Sequence, residues 1–216
     1  MIKKQLCSLI LLSTMVNGVR AQMQKDAKAL EILDSMCAYC QNIKACEVTF
    51  TYTIENLQEG EQEEFEGTIT VKGEKYRLCV EGQEIFSNGE TTWLYLKDVN
   101  EVNINNYDPK DHSNPFKIYT IYKEGYQSMY VEEKVIKGKI YDIIELTPIE
   151  QDDTIFKIAL EIERDTKRLR SWSKLEHNGT KHTYLITKFE EKLSLDDTYF
   201  NFNPDNYEGI EVIDMR

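Results

Sequence analysis

From Cys46 onward apolar residues recur at every second position, and that period, kept over most of the chain, constrains the fold more than any other feature. Cys46, Val48, Phe50, Tyr52 and Ile54 alternate with Glu47, Thr49, Thr51, Thr53 and Glu55, the pattern of a strand with one apolar and one wet face. The polar, acidic stretch Gln58 to Glu64 reads as a loop, after which Phe65, Gly67, Ile69 and Val71 alternate with Glu66, Thr68, Thr70 and Lys72. Lys72-Gly73-Glu74 turns the chain, and a third strand puts Tyr76, Leu78 and Val80 on one face. Ile85 to Ser87, Thr91 to Lys97 and Glu101 to Asn105 continue the meander. Trp93-Leu94-Tyr95-Leu96 is apolar on both faces, so something must cover its second face.

The second half repeats the period over Met129 to Ile136, Lys139 to Thr147, Phe156 to Glu163, Leu169 to Glu176 and Thr183 to Phe189. His177-Asn178-Gly179 reads as a hairpin turn in which Asn-Gly supplies a type I′ geometry. Two segments depart from the period. Between Asp26 and Ile43 apolar residues recur at three- and four-residue steps, the mark of one amphipathic helix. Asn114-Pro115 opens a short apolar helix that carries Phe116, Ile118, Tyr119, Ile121 and Tyr122 before Gly125. The expected fold is therefore mainly β, a large antiparallel sheet of about eleven strands curled into an unclosed barrel. The helices have only its concave face in which to bury their apolar sides, as a lid or plug.

The chain has 216 residues, enough for one packed domain without a metal or disulfide staple. Its 26 basic and 38 acidic residues give a net charge of −12, which speaks against a nucleic-acid partner. Residues 1–21 form a separate object: Met1-Ile2-Lys3-Lys4 is a basic start, Leu6 to Val16 an apolar run, and Val19-Arg20-Ala21 a cleavage site before Gln22. The apolar run is too short to span a bilayer, so residues 1–21 are read as a cleaved secretory signal and 22–216 as the exported domain. Cys37, Cys40, Cys46 and Cys79 then remain, with three possible pairings. A redox Cys-x-x-Cys belongs at a strand-to-helix turn, whereas Cys37 and Cys40 sit late in a helix, so buried or disulfide-linked structural cysteines are the expectation.

No Gly-x-Ser-x-Gly elbow, phosphate loop, His-Glu-x-x-His or calcium loop occurs. Asp152-Asp153 and Asp196-Asp197 lie in turns, where Asp serves local backbone hydrogen bonds. With no converging acid, base and nucleophile, the residues point to a binding protein without catalytic residues, metal or cofactor rather than to an enzyme.

Three blocks carry a resemblance: Gly67-Thr68-Ile69-Thr70-Val71-Lys72, Lys75-Tyr76-Arg77-Leu78, and Ser87-Asn88-Gly89-Glu90-Thr91-Thr92-Trp93-Leu94-Tyr95. In order and spacing they resemble the LolA-like periplasmic lipoprotein carriers, and Phe200-Asn201-Phe202-Asn203-Pro204 with Gly209 to Ile213 is similar to that family's C-terminal end. The resemblance implies an open barrel lidded by helices that shields lipoprotein acyl chains between the inner and outer membranes. Its implied partners are acylated lipoproteins and an inner-membrane lipoprotein-releasing ABC transporter, with the outer-membrane acceptor unknown and the carrier monomeric. Well-studied members carry an Arg-Pro after the second strand that ties the lid to the barrel; here Gly73-Glu74 stands there.

On this reading the cavity is lined by Val48, Phe50, Tyr52, Ile69, Val71, Tyr76, Leu78, Trp93 and Tyr95, with Leu30, Leu33, Ile118 and Ile121 on the lid. The alternatives are a lipid- or lipoprotein-sensing envelope regulator of the same fold, and a structural protein with a filled barrel.

Overall fold

The computed structural model describes residues 26–108, 115–150, 152, 154–191 and 194–216, so residues 1–21, read above as a secretory signal, lie outside the described residues. Asp26 caps α1 (Ala27–Gln41), the one α-helix among the described residues, accepting from Lys28 N at 3.0 Å and Ala29 N at 3.1 Å. Six strands follow: β1 (Cys46–Asn56), β2 (Glu61–Lys72), β3 (Lys75–Val80), β4 (Gln83–Ser87), β5 (Thr91–Leu96) and β6 (Glu101–Asn106). Two 3₁₀ turns, Pro115–Tyr119 and Ile121–Lys123, stand where one short helix is expected, with Thr120 between them. The second run is β7 (Tyr126–Ile136), β8 (Lys139–Pro148), β9 (Ile155–Glu163), β10 (Leu169–Glu176) and β11 (Thr180–Glu191), and β12 (Glu211–Asp214) comes last.

All twelve strands form one sheet in the order β12-β6-β5-β4-β3-β2-β1-β11-β10-β9-β8-β7. Two meanders thus share the β1–β11 seam, and β12 and β7 are left as unpaired edges of an unclosed barrel. The 3₁₀ turns between β6 and β7 pack on the concave side, where Ile118 and Tyr122 join Ala29, Leu33, Ile144 and Leu160 in one buried cluster.

Three expectations are corrected. Glu61–Glu64 is strand rather than loop, because its backbone pairs with Thr53 to Asn56 while its side chains stay in solvent at the hairpin tip. The sheet is not wholly antiparallel, since β12 runs parallel to β6. The His177-Asn178-Gly179 turn has a positive φ only at Gly179 (87°), so it is not type I′, which needs two such residues.

Ala29, Leu33 and Met36 of α1 are fully buried against Ile144, Leu146, Leu160 and Ile162 of β8 and β9. The same Asp26 carboxylate that caps α1 accepts from Tyr130 N at 2.8 Å, fastening the helix to the edge strand β7. On the other half of the sheet, Gly67 is a glycine because of close approach: a Cβ there would lie 2.4 Å from Phe50 Cζ. The doubly apolar strand β5 is covered as expected. Phe202 and Tyr207 pack on Tyr95 with ring centroids at 5.7 and 4.6 Å, and Phe202 meets Phe86 edge-on at 5.4 Å. Asp196 and Asp152 do serve local turns, accepting from Thr198 N at 2.8 Å and from Thr154 N at 2.8 Å; Asp153 lies outside the described residues.

Candidate binding cavity

Register decides which side chains share the concave face. One row runs Val48–Ile69–Leu78–Ile85–Leu94 across β1 to β5, and a neighbouring row joins Cys46, Val71, Tyr76 and Ser87. Between this face, the C-terminal half of α1 and the 3₁₀ turns lies a cavity of about 1220 Å³, at the top of or beyond the roughly 300–1,000 Å³ of small-molecule pockets. Val48, Phe50, Tyr52, Ile69, Val71 and Leu78 line it, and Tyr76 is buried in the same apolar cluster behind them.

Trp93 and Tyr95 are placed differently from the expectation. Their rows run Arg77–Phe86–Trp93 and Cys79–Glu84–Tyr95, on the convex face, where the C-terminal segment covers them. The concave residue of β5 at that level is Leu94, paired with Ile85. Of the four lid residues, Ile118 and Ile121 line the cavity, whereas Leu33 is core packing between α1 and the sheet and Leu30 is half-buried beside it.

The second meander supplies a wall that the first-half blocks did not reveal: Ile158, Trp172, Tyr184, Ile186 and Phe189. Trp172 stacks on Tyr184 at 4.2 Å and Tyr184 on Tyr52 at 4.6 Å, an aromatic shelf across β10, β11 and β1. The alternation in 183–189 contains this signal, but only the β1–β11 pairing joins it to Tyr52. The polar groups at that end are engaged with one another: Tyr52 Oη and His182 Nδ1 are 2.8 Å apart, and Lys174 pairs with Glu176 at 2.8 Å. Burial lowers the pKa of His182, and the Lys174 ammonium lowers that of Glu176.

At the other end Gly73 takes φ 61° in the β2–β3 turn at the cavity rim, where the resemblance places an arginine. The guanidinium that reaches α1 is that of Arg168, whose Nε donates to the Tyr39 hydroxyl at 2.6 Å.

Cys37, Cys40 and Cys46 also line the cavity, while Cys79 stands on the convex face apart from them; all four are free thiols. Burial pushes the Cys40 thiol up to about 12, with Cys46 and Cys37 adding to it, and burial with Glu191 pushes Cys46 up to about 11. Raised thiol pKa values leave little thiolate at pH 8. Both residues of the reduced native protein are therefore expected to react with iodoacetamide at least about tenfold more slowly than in urea, read by peptide mass mapping. Equal rates would contradict this burial.

The family profile described as outer membrane lipoprotein carrier protein LolA matches residues 41–203. The chain belongs to the LolA family. It is 26% identical over 133 residues to an outer-membrane lipoprotein carrier protein of Histophilus somni (strain 129Pt), across 62% of this chain and 61% of that relative. A crystal structure of an uncharacterized conserved protein from Thermus thermophilus superposes with a TM-score of 0.60 at 13% identity, covering 87% of this chain and 99% of that one. The Mycobacterium tuberculosis lipoprotein LppX gives a TM-score of 0.49 at 13% identity, covering 79% and 100%. Among the described residues of this LolA-family chain, no helix is long and apolar enough to cross a membrane.

Proposed function

We propose that this protein is a periplasmic carrier that takes the acyl chains of lipoproteins into the concave cavity and moves them from the inner to the outer membrane. The observation that carries the reading is the cavity, large and walled mainly by aliphatic and aromatic side chains. Each methylene moved from water into such a wall is worth about 0.8 kcal/mol, so partial burial of the chains already gives useful affinity. Dispersion and desolvation are non-directional, which suits a load that must also be released. Family membership supports lipoproteins as that load.

The periplasmic assignment is supported by the basic start, apolar run and Ala21 cleavage site, with residues 22–216 as the single carrier domain. The donor in this scheme is an inner-membrane ABC transporter, the carrier is a monomer, and its role is binding rather than catalysis.

Titration of residues 22–216 with a synthetic triacylated lipopeptide is expected to displace an environment-sensitive apolar dye saturably, near one equivalent. If the protein takes up no dye and the lipopeptide does not bind, the carrier reading falls and a structural role with a filled barrel replaces it.

A further inference from the structure

We infer that Arg168 is an anion anchor at the cavity, so that the load brings a carboxylate or a phosphate beside its acyl chains. The inference rests on the carrier reading and adds to it the chemical class of the ligand.

Six cationic side chains line the cavity: Lys117, Lys139, Arg168, Arg170, Lys174 and Lys188. Four of them are committed to carboxylates. Lys139 pairs with Glu163 at 3.0 Å, Lys174 with Glu176 at 2.8 Å, Lys188 with Glu190 at 2.9 Å, and Arg170 with Glu161. Lys117, on the first 3₁₀ turn, offers a single ammonium on a flexible stem, whereas Arg168 presents a planar fork held in place. The only carboxylate within 4 Å of Arg168 among the described residues is Glu191, whose Oε1 lies 3.8 Å from Nη2, beyond hydrogen-bonding distance. Its one side-chain hydrogen bond leaves from Nε, to the Tyr39 hydroxyl.

That bond and two rings fix the guanidinium in place, with its carbon 4.8 Å from the centroid of Phe189 and 5.4 Å from that of Tyr39. An arginine carries five N–H donors in a planar fork that matches carboxylate and phosphate oxygens. Here the Nε arm is occupied while the Nη arms make no hydrogen bond within the described residues, and the side chain is 43% exposed. Tyr39 and Phe189 themselves line the cavity. A ligand whose chains lie along Phe189 and Ile186 therefore brings its head group to the open arms of a guanidinium already held in orientation. In a chain of net charge −12 such a site also discriminates, because an anion gains little elsewhere on the surface.

The test uses three ligands with the same acyl chain: palmitate, methyl palmitate and palmitoyl lysophosphatidylglycerol, each displacing the apolar dye at pH 8 from residues 22–216. The wild-type protein is expected to bind at least one of the two anionic lipids about tenfold more tightly than the neutral ester, as one charge-assisted contact of ~1.4 kcal/mol would give. Arg168→Gln is expected to remove that advantage and leave the ester unchanged, and Arg168→Lys to keep part of it. An advantage confined to lysophosphatidylglycerol assigns the anion to a phospholipid head group, and one confined to palmitate assigns it to a free fatty acid; either supports the anchor. Equal binding of ester and anions by the wild type overturns it, and so does an Arg168→Gln protein that loses all three ligands alike, the sign of a residue acting only through α1. If the ester binds and the anions gain nothing, the anchor falls and the carrier reading stands; if none of the three displaces the dye, the anchor falls and the lipopeptide titration decides the carrier reading.

Discussion

Leu78→Glu is expected to abolish uptake of an apolar probe, whereas Trp93→Leu, fifteen positions further along the same meander, leaves uptake unchanged. Leu78 lines the cavity and is only half-buried, so a carboxylate there reaches the open space and the domain still folds. An acyl chain entering that space would have to strip water from the carboxylate without offering a hydrogen bond. The penalty, about 2–3 kcal/mol or more, corresponds to a loss of roughly 100-fold in affinity. Trp93 belongs to the row of Arg77 and Phe86 on the convex face, so shortening it removes contacts under the C-terminal segment and none from the cavity wall. Probe titrations of both variants, with far-UV circular dichroism to establish folding, decide the matter. Loss of uptake in Trp93→Leu with uptake retained in Leu78→Glu would mean that the ligand face of the sheet has been assigned to the wrong side.

The same pair of residues marks how far the sequence could be read. Within β1 to β3 one face is polar, so parity alone tells inside from outside, and Val48, Phe50, Ile69, Val71 and Leu78 fall where that parity puts them. In β5 both parities are apolar, and parity alone leaves the direction undecided. Tryptophan and tyrosine look like the richer cavity wall, yet the pairs Leu78–Ile85 and Ile85–Leu94 carry the concave face to Leu94. The aromatic shelf was illegible for another reason. Tyr52 and Tyr184 stack across a strand pair whose partners lie some 130 residues apart, and nothing local in either strand announces that partner. The parallel strand β12 is four residues long, too short for a period to register against the loop signals of Asn203-Pro204 and Gly209 before it. Arg168 gave no sign at all, because an arginine between a turn and a buried leucine has an ordinary surface pattern until Tyr39 and Phe189 are seen beside it.

Phe200→Ala is expected to lower stability by about 3–5 kcal/mol, the range for a fully buried phenylalanine, and so to lower Tm by about 6–20 °C in a chain of this length. Phe200 is the largest completely buried side chain among the described residues and sits in a 3₁₀ turn, Asp197–Phe200, outside the regular strands of the sheet. The turn is pinned from both sides. Lys72 donates to Leu195 O at 2.7 Å, and Lys72 and Lys75 meet Asp197 at 2.8 and 2.7 Å, holding its carboxyl down at about 2. These contacts are exposed and screened, so they orient the segment more than they stabilise it, and the apolar side chains supply most of the free energy. On either side of Phe200, Tyr199 lies against Arg77 and Phe202 packs on Phe86 and Tyr95, so the chain crosses the convex side of β3 to β5 and reaches the edge, where β12 pairs with β6. Since the cavity lies on the opposite face, the folded Phe200→Ala protein at low temperature should bind the apolar probe with wild-type affinity. Thermal unfolding followed with and without the probe separates the two effects, and a variant that keeps its Tm but loses the probe would mean that the C-terminal segment acts on the cavity rather than on the fold.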